Sequence, residues 1–262
     1  MKSGHQHYSG SIESSKEVES FSISIGWNTP ETIVPNHSHE KPYLCLCLDG
    51  TYTETNYKTS TLIDPGACIF RSANYEHANQ FYEYDVKLLN VEINNPTEFM
   101  EENDFKLPES EILRKGTLDL YRLLYSYKLG VSDDLLNILC YESTIKHFDM
   151  LPVRGKLDWV RKVKERILDD PFTSISLSRF SREFNLHPNY IVRKFKAITG
   201  YRLSEYLNKT RVELSLKKMI QSDDSLTNIA VDSGFCDQSH FNRNFRKHFS
   251  DSPKKIRKLL KG

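Results

Sequence analysis

Three histidines in the N-terminal half carry side chains that can bind a metal ion or a polar ligand. His37 and His39 are separated by one residue, and His77 follows in a later segment. Positions i and i+2 of a strand project from the same face, so the pair could share one ion with a third imidazole. The same side chains could instead pack inside a domain or contact an organic ligand, and both alternatives stay open here.

The C-terminal half carries side chains of the kind that read DNA bases. Arginine can form paired hydrogen bonds with guanine, and asparagine or glutamine with adenine, in the major groove. Two segments present such residues at helical spacing, with Ile191, Phe195, Phe241 and Phe245 predicted to face inward. The candidate DNA-binding residues are Asn189, Tyr190, Val192, Arg193 and Lys196 in the first segment, and Gln238, Ser239, His240, Asn242, Arg243 and Arg246 in the second. Arg193 and Arg243 are predicted to contact bases, and the neighbouring Lys and Arg side chains are predicted to contact phosphates. For each of these residues the alternative is that it lies on a solvated helix face.

These two segments belong to an internal repeat. Residues 191–196 (IVRKFK) match residues 241–246 (FNRNFR) at a shift of 243 − 193 = 50 positions. Each copy predicts a helix, a tight turn and a second helix, with a serine at the start of the first helix. Asn185 and Gly234 are predicted at the two turns, and one long helix over residues 203–220 joins the copies. The pattern therefore predicts two helix-turn-helix units on a rigid connector.

The charges of the chain are divided unevenly. Residues 1–154 hold 13 Lys and Arg against 23 Asp and Glu, a net charge of 13 − 23 = −10, although the whole chain carries only +1. Residues 155–262 hold 23 against 12, a net charge of 23 − 12 = +11. This division is typical of a nucleic-acid-binding domain joined to a domain of another kind, although a solvated basic surface would look the same.

Composition excludes several classes of protein. The 262 residues are 38% hydrophobic and 27% charged, with no apolar run of the length that spans a bilayer. No secretory signal is visible, and the five cysteines form no C-x-x-C pair, so neither a disulfide framework nor a zinc ribbon is indicated. We therefore expect a cytoplasmic protein with reduced cysteines and no membrane partner.

The pattern of apolar residues predicts an α+β multidomain protein. Residues 1–20 are predicted as a flexible lead-in, and residues 21–96 as short strands of a β-barrel, with residues 43–48 buried on both faces. Residues 97–150 are predicted as a helical hairpin that packs on the barrel or pairs with a second subunit, Leu113 lying on its first stripe. Residues 151–155 are the predicted linker, and residues 156–262 form an all-α domain.

The segment from Ser176 to Arg257 resembles the DNA-binding domain of the AraC/XylS transcription regulators. The resemblance rests on HPNYIVRKFKAITG and on IAVDSGFCDQSHFNRNFRKHFSDSPKKIR, the second being highly specific. It implies two recognition helices that enter successive major grooves on one face of an operator, and RNA polymerase as a candidate partner. The chain departs from the family pattern at four positions: Asn185, His187, Ser215 and Ile256.

The segment around the three histidines looks like the two motifs of a cupin barrel. Metal-binding cupins add a glutamate, but Tyr43 or Leu44 stands at that position here. The missing acid favours histidines that are structural or contact an effector, so the prediction is no metal and no cofactor. The candidate effector-binding residues are His37, His39, Tyr43 and His77, while Tyr52, Glu54 and Phe81 either line the barrel or only pack in it.

These features together predict a sequence-specific transcription regulator, not an enzyme, with a cupin-like sensor and an AraC-type DNA-binding domain. Its predicted partners are double-stranded DNA, a small-molecule effector and a second copy of the chain. Two alternatives stay open: a cupin metalloenzyme fused to a DNA-binding tail, and a regulator that responds to no ligand.

Overall fold

The chain folds into two compact units, Met1–Ile145 and Lys146–Gly262, in the computed structural model. The structure describes residues 10–103, 107–114, 116–149, 158–172 and 175–261. The linker predicted at residues 151–155 lies outside these residues. Within them, no helix is both long and apolar enough to cross a membrane.

The N-terminal unit is a two-layer β structure with helices on one side. Its strands are β1 (Ser11–Glu17), β2 (Phe21–Asn28), β3 (Ile33–His37), β4 (Tyr43–Asp49), β5 (Tyr52–Thr55), β6 (Ser60–Ile63), β7 (Cys68–Arg71), β8 (His77–Phe81), β9 (Val86–Ile93) and β10 (Ser110–Leu113). Its helices are α1 (Pro96–Asn103), α2 (Leu118–Lys128) and α3 (Asp133–Asp149). One sheet has the order β1-β2-β9-β4-β7-β10 and the other β3-β8-β5-β6.

The inner faces of the two sheets share a hydrophobic core. Tyr43, Cys45 and Cys47 of β4 point into this core, where they meet Tyr52 of β5 and Phe81 of β8. The remaining side chains of β4 up to Leu48 are also buried, on the opposite face. A strand covered on both faces explains why residues 43–48 are apolar without alternation, and this prediction is confirmed.

The helical hairpin packs on the β structure of its own unit. The ring of Tyr141 in α3 lies edge-on to Phe21 of β2, at 6.4 Å between centroids, and to Phe99 of α1, at 5.1 Å. The hydroxyl of Ser143 in α3 donates to the carbonyl of Asp119 in α2. These contacts favour the first of the two roles predicted for the hairpin.

Two predictions for the N-terminal half are wrong. Residues 11–17 belong to no flexible lead-in, because β1 pairs along β2 as the edge of the larger sheet. Leu113 lies on no helical stripe, because residues 110–113 form β10 and pair with β7. Both are edge strands: β1 pairs with β2, the next strand of the chain, and β10 pairs with the more distant β7.

The C-terminal unit is all-helical, as predicted. Its helices are α4 (Asp158–Asp169), α5 (Leu177–Phe184), α6 (Pro188–Thr199), α7 (Leu203–Gln221), α8 (Leu226–Val231), α9 (Gln238–Phe245) and α10 (Pro253–Lys261). Helices α5 and α6 form one helix-turn-helix unit and α8 and α9 the other, with α7 between them. The sheet-rich first half and all-helical second half confirm the predicted fold class.

The helix ends follow from the local sequence. Ser176 and Ser225 accept hydrogen bonds from the backbone N–H groups of Arg179 and Asn228, as N-caps do. Asn185 ends α5 in the left-handed conformation with a φ of 51°. These predicted caps and turns are confirmed.

Gly200 and Gly234 of the C-terminal unit have φ angles of 75° and 87° but different surroundings. Their alanine variants should therefore separate the effect of backbone strain from that of a steric clash. A Cβ at Gly200 would meet nothing within 4 Å. A Cβ at Gly234 would lie 2.9 Å from Nε of Arg211, which donates to the carbonyl of Pro171 at 2.7 Å. We expect Gly200→Ala to lower the free energy of unfolding by about 1 kcal/mol from backbone strain. Gly234→Ala should lower it by roughly 1 to 3 kcal/mol more, because it also disturbs that hydrogen bond.

Urea unfolding of the C-terminal unit, followed by the fluorescence of Trp159 in a Trp27→Phe background, measures both losses. Equal losses in the two variants would show that the contact of Gly234 with Arg211 does not matter.

Candidate functional site

Helix α6 presents one polar face to solvent because its other face is anchored. Ile191 and Phe195, four residues apart, are fully buried in the core shared with α4 and α7. Asn189, Arg193 and Lys196 are exposed, and Val192 is 38% exposed between them. At the start of the helix, the His187 ring accepts a hydrogen bond from the backbone N–H of Asn189, so this departure from the family pattern still caps the helix.

Tyr190 lies where the first helix meets the core. Its ring is 6.2 Å from the ring of Trp159 and packs on the hydrophobic cluster. The prediction that Tyr190 points outward is therefore wrong in part, because half of the side chain is buried against α4.

Helix α9 repeats this arrangement. Phe241 and Phe245 are fully buried, while Ser239, Arg243 and Arg246 are exposed. Asp237 caps the helix by accepting from the backbone N–H of His240. The remaining predicted residues are half-buried, and they are Gln238, His240 and Asn242. Gln238 accepts a hydrogen bond from Thr227 of α8, and the His240 ring lies edge-on to Phe235.

The exposed cations of these two helices are not neutralised by the protein. Within the described ranges, Arg193, Lys196, Arg243 and Arg246 have no carboxylate partner. Cations elsewhere in this unit do, as the paired side chains of Arg166 with Glu183 show. The positive charge on α6 and α9 therefore stays available to a polyanion.

The N-terminal unit contains a small polar cavity between its sheets. Its volume is about 60 Å³ and its lining includes His37, His39, Tyr43, Glu54, His77 and Asn79. This volume is enough for a few water molecules, and far below the roughly 300 Å³ of a pocket for a drug-sized ligand. All four candidate effector-binding residues thus reach one cavity.

The pairing of β3 with β8 brings the histidines together. His37 at the end of β3 faces His77 at the start of β8, with ring centroids 4.3 Å apart. The His39 ring is 5.1 Å from His37 and 5.5 Å from His77. One ligand atom of each imidazole lies within 4.8 Å of the others.

The environment keeps two of these imidazoles neutral at physiological pH. Burial lowers the pKa of His39 to about 4, and the neighbouring His77 and His37 add to this effect. Burial also lowers the pKa of His77 to about 4, against the opposing effect of its hydrogen bond to the Tyr75 carbonyl. Neutral imidazoles have lone pairs for a metal ion or for a hydrogen-bond donor such as the Tyr43 hydroxyl, which lies 3.3 Å from Nε2 of His77.

Glu54, which lines the cavity, forms a buried ion pair with Arg71. Nε of Arg71 donates to Oε1 of Glu54 at 2.7 Å, and the Arg71 guanidinium also donates to the carbonyls of Phe70 and Glu111. Burial raises the pKa of Glu54, and the Arg71 charge opposes that rise. Glu54 Oε2 and Asn79 Oδ1 are buried and have no hydrogen-bond partner among the residues that the structure describes. Sequence reasoning missed Arg71 as the partner of Glu54 and Asn79 as a residue that lines the cavity, since only the fold brings them to these positions.

Comparison with known proteins agrees with this geometry. The model of a helix-turn-helix domain matches residues 180–259. The HTH-type transcriptional activator RhaS of Pectobacterium carotovorum is 24% identical over 263 residues, covering 90% of this chain and 91% of the relative. RhaS of Pectobacterium atrosepticum is 41% identical over 75 residues, which cover 29% of this chain and 27% of the relative.

The chain is a transcription regulator with a helix-turn-helix domain. Its relatives extend over both units, since RhaS of Escherichia fergusonii is 25% identical over 92% of this regulator and 93% of the relative. Among solved structures, ToxT from Vibrio cholerae is 15% identical, covers 93% of this chain and 100% of its own, and has a TM-score of 0.40.

The Glu54–Arg71 pair gives a prediction for stability. Arg71→Met would leave the Glu54 carboxylate buried and uncompensated, which should lower the free energy of unfolding of the N-terminal unit by about 3 to 5 kcal/mol. Adding Glu54→Leu should restore most of this loss, because the buried charge is then gone. Urea unfolding followed by Trp27 in a Trp159→Phe background measures both. A double variant as unstable as Arg71→Met would contradict this explanation.

Proposed function

We propose that this regulator binds duplex DNA with α6 and α9 in two successive major grooves, and that the cavity of the N-terminal unit controls this binding. The observation that carries the first part is the repeated anchoring of α6 and α9, which turns an arginine to solvent on each helix, Arg193 and Arg243, with no carboxylate partner among the described residues. Arg193 and Arg243 are assigned to bases, with Asn189 and Asn242 beside them, and Lys196 and Arg246 to phosphates.

Helix α7 supports the spacing of the two reading helices. Its 19 residues give a rod of about 28 Å at 1.5 Å per residue. This length is of the same order as one turn of B-DNA, about 34 Å. A rigid connector of this length therefore suits a bipartite site whose halves lie one turn apart on one face of the duplex.

The second part of the proposal concerns regulation. The relatives are named as transcriptional activators, and we propose activation for this chain as well, without catalytic turnover of its own. It would act in the cytoplasm, where bacterial DNA lies. RNA polymerase and a second copy of the chain stay predictions as partners.

Selection of bound sequences from a random DNA pool by the full chain tests the proposal directly. We expect a bipartite consensus with half-sites about one helical turn apart. Recovery of no preferred sequence by folded protein would reject it.

Single substitutions should separate base reading from phosphate contact. Against the selected site, Arg243→Ala should weaken binding by roughly 1 to 3 kcal/mol and relax the preference at one base pair. Lys196→Ala should weaken binding to all sequences similarly, because phosphate contacts carry no sequence information. Arg161→Ala is the matched control, since Arg161 lies on α4 and already pairs with Glu165. Competition binding with single-base variants of the site measures these effects, and an unchanged preference in Arg243→Ala would contradict the assignment.

The salt dependence of binding should report the number of phosphates engaged. If 6 to 10 phosphates are contacted, lowering salt from 200 to 50 mM should tighten binding roughly 10³- to 10⁵-fold through counterion release. Fluorescence anisotropy over this range gives the slope. An affinity that barely changes with salt would mean that the basic helices do not face the DNA backbone.

A further inference from the structure

The three clustered imidazoles lie in a cavity whose size and polar groups suit an ion better than an organic effector. We propose that His37, His39 and His77 bind one divalent transition-metal ion of the class that prefers imidazole, such as Zn²⁺, Co²⁺ or Ni²⁺. The absence of the cupin glutamate predicted no metal here, but the structure shows three nitrogen donors that can act without it.

The first argument is the convergence of the ligands. One nitrogen from each ring lies within 4.8 Å of the other two, and two of the rings are held in register on adjacent strands. Three nitrogens at 2.0 to 2.1 Å from a tetrahedral ion are about 3.3 Å apart. Small side-chain rotations close that difference, while the strand pairing of His37 and His77 keeps their backbones in place.

The second argument is the orientation of the rings. Nδ1 of His37 lies 2.9 Å from the carbonyl of Pro35, and Nδ1 of His77 lies 3.1 Å from the carbonyl of Tyr75. A carbonyl only accepts, so each Nδ1 must carry the proton and donate it, which leaves Nε2 as the electron-pair donor. A ligating histidine typically has its other ring nitrogen bonded to such an acceptor. Two of the three rings are therefore already oriented as metal ligands.

The third argument is what else faces the cavity. Glu54 and Asn79 line the cavity, and their Oε2 and Oδ1 atoms are buried acceptors without a hydrogen-bond partner among the described residues. A metal ion with water in its open positions supplies donors, and about 60 Å³ holds such a group.

The metal site rests on geometry alone, whereas its effect on DNA binding rests on the proposed function. An ion held by all three imidazoles would tie His39, which follows β3, to the paired residues His37 and His77. This change is the regulatory signal that the proposed function requires from the N-terminal unit.

Metal binding by the untagged full chain tests the inference. After dialysis against a chelator, Co²⁺ is titrated and followed by its visible absorption, and Zn²⁺ is titrated by calorimetry. We expect one equivalent of either ion to bind with micromolar or tighter affinity. His37→Gln and His39→Gln, at partly exposed positions, should each weaken binding at least about tenfold, and the double variant should abolish it.

The N-terminal segment supplies a matched control. His5 and His7 have the same spacing in the sequence as His37 and His39, so the double variant His5→Gln/His7→Gln removes an equal pair of histidines and leaves His37, His39 and His77 in place. It should bind like the original chain. Absence of Co²⁺ and Zn²⁺ binding overturns the inference, as does binding that survives His37→Gln/His39→Gln or is lost with His5 and His7. Circular dichroism of each variant establishes that it is folded.

Affinity for the selected DNA site, measured with and without Zn²⁺, separates this inference from the proposed function. Stoichiometric metal binding with unchanged DNA affinity upholds the metal site and rejects control through the cavity. Sequence-specific DNA binding by a chain that binds no metal overturns the metal site and leaves DNA recognition intact.

Discussion

The burial of two apolar side chains four residues apart determines what each reading helix can do. Ile191 and Phe195 in α6, and Phe241 and Phe245 in α9, are removed from solvent completely. Four residues are about one helical turn, so the two anchors fix the rotation of each helix about its axis. In α6 all three positions between the anchors then face solvent, whereas in α9 Arg243 faces solvent and Asn244 is buried. The fold therefore supplies the orientation, and the sequence of the exposed face is left to specify the DNA.

The N-terminal unit obeys a related constraint with polar groups. Its two sheets bury Glu54 with Arg71 and bring three imidazoles to the end of the β3–β8 pair. Buried polar groups without hydrogen-bond partners destabilise a fold, so a cavity lined by such groups lowers the free energy of unfolding. Replacing such an ion pair by apolar side chains would often stabilise a protein. A bound ligand that pairs with the buried acceptors would offset part of this cost.

Short stretches of sequence were enough to predict most of the helical unit, because its helix caps and turns depend on residues that are close together in the chain. Asn185 at φ 51° and the cap at Ser225 each depend on residues within three or four positions. The β unit was predicted less completely. Edge strand β1 is mostly polar and exposed, so its sequence has no alternation of apolar and polar residues that would predict a strand. Its extended conformation depends on pairing with β2. The partner of Glu54 could not be predicted, because no local pattern relates it to Arg71.

Arg71 and Arg243 lie in different environments, and this difference sets the role of each side chain. Arg71 lies in the β core, where the Glu54 carboxylate and two backbone carbonyls satisfy its guanidinium. Arg243 projects from α9 with no carboxylate beside it in the described part of the chain. Water solvates an exposed guanidinium well, so leaving it unpaired costs the fold little, and a phosphate or a guanine edge can take the place of that water. A buried guanidinium needs its partners within the fold, so it cannot exchange them for a phosphate or a base. The same side chain is therefore structural in one unit and available for recognition in the other, and the difference follows from burial rather than from residue type.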